Sequence, residues 1–71
     1  MNKSIVAAYR FQDNMVAAYN EKGERIPGLE GALDTKGETI VQESPPDAEF
    51  YIARWGQGNF EKVTREQWLK S

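Results

Sequence analysis

The chain has no cysteine and no histidine. The first absence excludes a disulfide framework and a thiolate metal cage, and a chain without them is expected in a reducing cytoplasm. The second removes the commonest general base and the commonest metal ligand; together the two remove the thiol nucleophile as well. Ser4, Ser44 and Ser71 therefore have no histidine to activate them. Carboxylates fall in pairs, such as Glu43 with Asp47 or Glu49 with Glu61, but acids dispersed along so short a chain read as solvation. No enzymatic activity, cofactor or metal is expected.

Long apolar runs are also missing. The opening MNKSIVAAYRF is broken by Arg10 before it reaches the length of a signal-peptide core, and nothing approaches the ~20 apolar residues of a membrane helix. A soluble protein without membrane association is the expectation. Its 71 residues make one domain over 1–71. A domain of this size buries only about 60% of the surface of its unfolded chain, so its stability margin is narrow. A homodimer is one way to add buried area.

Charge is scarce in sum and uneven in place. The net charge is -2, but residues 13–49 carry nine acids against three bases, and the flanks six bases against two acids. If the chain ends lie side by side, a mildly basic face results.

One phrase is written almost twice: AYNEKGERI at 18–26 and ALDTKGETI at 32–40. In each, Asn20 or Asp34 can open a type I turn through its side chain, and Gly23 or Gly37 can accept the positive φ of a bulge three residues later. Both copies are read as hairpin turns, bringing Tyr19 near Ile26 and Leu33 near Ile40. A calcium loop is excluded, since Lys36 stands where an oxygen ligand is needed and the spacing is wrong. A second near-repeat, Val-Ala-Ala-Tyr at 6–9 and 16–19, flanks Gln12-Asp13-Asn14. A three-residue loop there gathers Ile5, Tyr9, Phe11, Met15 and Tyr19 on one face, read as core. Val6, Ala8, Val16 and Ala18 then form a flat opposite face, small enough for a strand or a second subunit to approach.

Pro27, Gly28 and Gly31 shorten or bend the strand from Glu24, and a strand from Glu38 to Glu43 ends at Ser44-Pro45-Pro46-Asp47. The stretch from Asp47 to Trp55 has two readings. As a helix it has Ser44 for an N-cap and Gly56 for a stop; as a strand it places Phe50 and Ile52 inward and Tyr51, Ala53 and Trp55 outward. The strand is preferred because it extends the sheet of the preceding hairpins. Residues 56–59 then make a turn, and Phe60 to Val63 a last strand. Thr64 and Gln67 fit a capping box, with Val63 and Trp68 as a hydrophobic staple, so a helical turn is expected near 65–70, with Trp68 and Leu69 a lid on the core.

The fold expected is all-β in the main: a small meander or partly closed SH3-like or OB-like barrel of five or six short strands with a short C-terminal helix. Eight aromatics exceed what one small barrel encloses. Tyr51 and Trp55, beside Arg54, are the candidate contacts for an unknown protein partner, in a binding module of accessory, regulatory or phage-like kind. The alternative is single-stranded nucleic-acid binding, with Phe60 among the stacking residues and Arg10, Lys62 and Arg65 for phosphates. A structural homo-oligomer subunit is the third reading.

Overall fold

The computed structural model describes residues 4–55 and 58–71. Strand β1 (Ala7–Arg10) turns back into β2 (Met15–Tyr19), with Ala8 opposite Ala18 and Arg10 opposite Val16. The loop between them is the odd one the near-repeat demands. Phe11 N–H donates to Met15 C=O at 2.8 Å, and Asn14 N–H to Phe11 C=O at 3.0 Å. Asn14 takes the left-handed conformation (φ 64°) that closes such a loop. Tyr9, Met15 and Tyr19 share a face as expected, with Phe11 at its end. Ile5 does not join them: it precedes β1 and is fully buried in the core.

The first copy of the repeated phrase is a turn. Asn20 Oδ1 accepts the amides of Lys22 (3.0 Å) and Glu24 (2.9 Å), and Gly23 has φ 80°. Arg25, not Ile26, stands opposite Tyr19. The second copy is a helix, which corrects the second hairpin and the expected strand at 38–43. After the two-residue β3 (Gly31–Ala32), helix α1 runs from Leu33 to Glu43. Leu33, Gly37, Ile40 and Val41 recur at helical spacing and turn one stripe inward, and Asp34 sits in the first turn, where the helix dipole favours an acid. The Asn14 carbonyl of the first hairpin accepts the Leu33 amide at 2.8 Å, which ties the start of α1 to the loop.

Strand β4 (Glu49–Ala53) follows, as the preferred reading of that stretch holds, and β5 (Phe60–Val63) pairs antiparallel to it. The turn expected at 56–59 falls partly on residues 56 and 57, which lie outside the described residues. The sheet order is β3-β2-β1-β4-β5, and β4 runs parallel to β1. The result is an open five-stranded mixed sheet, not a meander, and no closure into a barrel is seen among the described residues. The reason is α1: its crossover returns the chain beside β1 in the parallel sense that a hairpin cannot give.

Helix α2 (Arg65–Lys70) carries the complete capping box. Gln67 N–H donates to Thr64 Oγ1 at 3.1 Å, and Thr64 N–H to Gln67 Oε1 at 3.0 Å. It delivers Trp68 to full burial with Ile40 of α1 and Phe50 of β4, the indole 5.4 Å from the Phe50 ring, while Leu69 stays at the surface. Ala8, Val16, Ala18, Phe50 and Ile52 belong to the same cluster, so both helices cover this one face. The Val/Ala face offered above to a second subunit is thus the core. The aromatic face read as core is the open one. Small residues on the sheet are what let two helices and an indole settle there.

Two substitutions test the packing. Thr64→Ala leaves a first-turn amide unpaired and should cost about 1 kcal/mol in a denaturant titration. A Cβ on Gly37 overlaps the Leu33 side chain and comes within 3.6 Å of the Trp68 ring, so Gly37→Leu should destabilise by roughly 1–3 kcal/mol despite leucine's better helix propensity.

Candidate functional site

The uncovered face of the sheet is built by alternation. Tyr9 on β1 stands directly beside Ala17 on β2 and Tyr51 on β4, while Ala53 stands beside Phe60 on β5. The rings fill the space the alanines leave. Tyr9 stacks on Tyr51 (centroids 5.0 Å, planes 13° apart) and meets Tyr19 (5.1 Å) and Phe60 (5.0 Å) edge to face; Phe11 meets Phe60 at 5.7 Å. Such pairs add about 0.5–1.5 kcal/mol each beyond area burial, which explains how five aromatics remain ordered without a covering layer.

Next to the rings lies an open groove of about 890 Å³. Phe11, Met15 and Phe60 wall it, Ala17 and Ala53 line it between them, and Arg25 and Glu30 stand beside it. Met15 and Phe60 are exposed. Polar groups rim the face in bonded sets. Tyr51 Oη donates to Glu49 Oε1 at 2.7 Å, and Lys62 Nζ to Glu49 Oε2 at 3.3 Å. These bonds hold the Glu49 carboxyl below the usual carboxylate range, the tyrosine donor contributing first, and the same bond raises the Tyr51 phenol. Arg25 lies over the Tyr19 ring (5.8 Å), donates to its hydroxyl at 3.2 Å and pairs with Glu30 at 3.3 Å.

Of the residues expected to meet a partner, Tyr51 is half-buried in the aromatic row, and Arg54 and Trp55 lie just past the end of β4. Trp55 is 92% exposed. It also holds φ 58°, a conformation unusual for a bulky side chain, with its carbonyl accepting from Asn59 Nδ2 at 3.4 Å. Arg54 pairs with Glu61 at 3.0 Å.

The four residues considered for nucleic acid do not form one surface. Phe60 and Lys62 face the open side. Arg10 faces the helix side, in register with Val16 and Ile52. Arg65 is turned inward, where its guanidinium lies 5.2 Å over the Phe50 ring and donates to the carbonyls of Val41 and Pro45 at the end of α1. Sequence reasoning passed over Tyr9, Tyr19, Phe11 and Met15 as site residues because they were assigned to the core. The signal was present in the tyrosines, whose hydroxyls are easiest to place at a solvated face.

The edge of β5 has no strand beside it among the described residues. A twofold antiparallel pairing of β5 with a second copy keeps the two faces in common. Its central registers set Glu61 against Glu61 or Lys62 against Lys62, so like charges oppose that pairing. Among the described residues no helix is long and apolar enough to cross a membrane, and no group of three or more acids gathers at metal-binding range. No protein-family model matches the chain, and no curated protein or solved structure matches it significantly.

The Tyr51–Glu49 bond fixes a pH response. The folded-state phenol is raised, so the stability it contributes is complete below the unfolded tyrosine's titration and is lost as pH rises through the folded one. Glu49 works in the opposite sense: its contribution is present at neutral pH and is lost as pH falls through its depressed range. Ultraviolet titration should show one tyrosine ionising above the ordinary range, and Glu49→Gln should move that step down.

Proposed function

We propose that this chain is a small non-enzymatic protein-binding module that takes its partner on the open aromatic face of the sheet and at the adjoining turn carrying Trp55. The observation that supports this most is Trp55 itself. A bulky residue in the left-handed region costs on the order of 1–2 kcal/mol, and with 92% exposure Trp55 recovers almost none of it by packing. Glycine would suit the backbone better, so the indole serves something other than the fold. On the open face, an apolar groove with aromatic walls and a charged rim has the anatomy of an interface centre awaiting an anchor side chain.

Single-stranded nucleic acid is the weaker reading. A sheet bearing stacked aromatics suits bases, but the cations nearest it, Arg25 and Lys62, are each paired with a glutamate, and Arg65 is consumed in joining α2 to α1. A phosphate backbone has few counter-charges to meet there. Homo-oligomerisation remains a use for the same face, and concentration-dependent sedimentation reports it.

Peptides selected from a random library on the immobilised domain should bind wild type and lose at least tenfold in affinity to Trp55→Ala or Tyr51→Ala, as expected of central aromatic contacts. Trp55→Gly should meanwhile raise stability by up to ~1 kcal/mol. Ile52→Ala, by contrast, should lose roughly 2–5 kcal/mol and with it most of the folded state. Selected peptides that bind all the variants equally would remove this face from the function.

A further inference from the structure

We propose that Arg10 and Arg54, beside the Trp55 indole at the end of the sheet, form a binding site for the carboxylates of an acidic segment of a protein partner. The inference deepens the reading above and rests on it for the class of partner. Its basis is separate: two neighbouring guanidiniums on the helix side of the sheet's end, one of them without a carboxylate partner among the described residues, not the aromatic face.

The parallel register between β1 and β4 creates the pair. Arg10 stands opposite Ile52, so Arg54, two residues on, projects toward the same side. Both line an open cavity of about 500 Å³ that Asn14, Ile52 and Trp55 also border. Arg10 has no carboxylate within ion-pair range among the described residues. Its Nη2 donates to the neutral Asn14 Oδ1 at 2.7 Å, and its Nε is buried without a partner. Partial burial and the neighbouring charge of Arg54 both lower its affinity for its own proton. Two cations held near one another, one of them short of acceptors, are relieved by an anion that accepts from both.

Arg54 keeps donors for that purpose. Glu61 engages its Nε in a pair exposed on both sides, 46% and 60%, and such pairs are worth little in water. Arginine's planar fork matches carboxylate in two-point geometry. The surroundings favour one or two carboxylates over a polyanion. Glu61 flanks Arg54, and Asp34 and Glu38 line the cavity on the other side of Arg10, so a continuous chain of phosphates meets acids on either hand. Trp55 supplies the apolar wall against which a glutamate's methylenes can lie.

A capped Gly-Glu-Glu-Gly peptide, which brings two carboxylates, is the probe, titrated into labelled protein while the Arg10 and Arg54 Nε–H signals and the Trp55 indole N–H are followed by NMR. All three should shift saturably. Arg54→Gln, at an exposed position, should weaken binding about tenfold, the loss of one charge-assisted contact, and high salt should abolish it. Arg10→Gln should do the same where its spectrum shows a folded domain. No saturable shift, equal shifts with capped Gly-Gln-Gln-Gly, or an Arg54→Gln variant that binds as wild type would overturn the site. Tighter binding of a thymidine hexanucleotide at the same signals would overturn the acidic-peptide assignment in favour of nucleic acid. If the diglutamate peptide fails while library peptides still depend on Tyr51 and Trp55, the inference alone is lost. If library peptides ignore those aromatics while the diglutamate peptide binds, the face is lost and the arginine site stands.

Discussion

The burial of Trp68 against Phe50 and beneath α1 is the contact on which the rest of the structure depends. An indole is the largest side chain available, and in a domain this small it can be enclosed only where its neighbours are small. Ala8 and Ala18 on the sheet belong to the same buried cluster, and Gly37 faces it from α1, where the Trp68 ring lies at the distance of ordinary contact from the place a Cβ would occupy. The capping box at Thr64 and Gln67 sets the start of α2, and so its one fully buried residue arrives at the core. Arg65 then fastens the same helix to the carbonyls at the end of α1. Two short helices, each too short to be stable alone, are held by one shared cluster.

That arrangement spends both helices on one side of the sheet. The other side has to manage with side chains alone, and it does so by laying rings over alanines and over one another. Tyrosine suits this half-covered layer, since its ring packs while its hydroxyl stays hydrated or bonded, as Tyr51 is to Glu49 and Tyr19 to Arg25. The functional reading follows from the same one-sidedness. An aromatic layer with an apolar groove beside it and a strained, solvent-facing tryptophan at its end has the composition and shape that we propose serve binding. On that proposal the arginine pair at the adjacent corner adds a charge preference.

Much of this was legible wherever a feature is settled within a few residues. Asn20 and Gly23 specify their turn by side-chain bonding and positive φ, Gln12-Asp13-Asn14 specifies an odd loop, and Thr64 with Gln67 specifies a helix start. The phrase beginning at Ala32 was misleading because Asp-x-x-Gly serves a turn and a first helical turn equally well. The helical spacing of Leu33, Gly37, Ile40 and Val41 outweighs it, and on that helix a Cβ at Gly37 would overlap Leu33, a contact that no hairpin turn would show. Alternation told which residues share a face. It did not tell which face is covered, since that depends on where the helices land. The meeting of Arg10 with Arg54 was equally hidden, because it requires β1 and β4 to run parallel.

The central claim is that Trp68 packs on the face of Ala8 and Ala18 and that, among the described residues, nothing covers the tyrosine face. Nuclear Overhauser contacts from the Trp68 ring in a sample shown to be monomeric test it most directly. The account predicts contacts to Gly37, Ile40 and the Phe50 ring, with none to Tyr9 or Tyr51. Contacts from Trp68 to either of those tyrosines would place the helix on the opposite side of the sheet and contradict it.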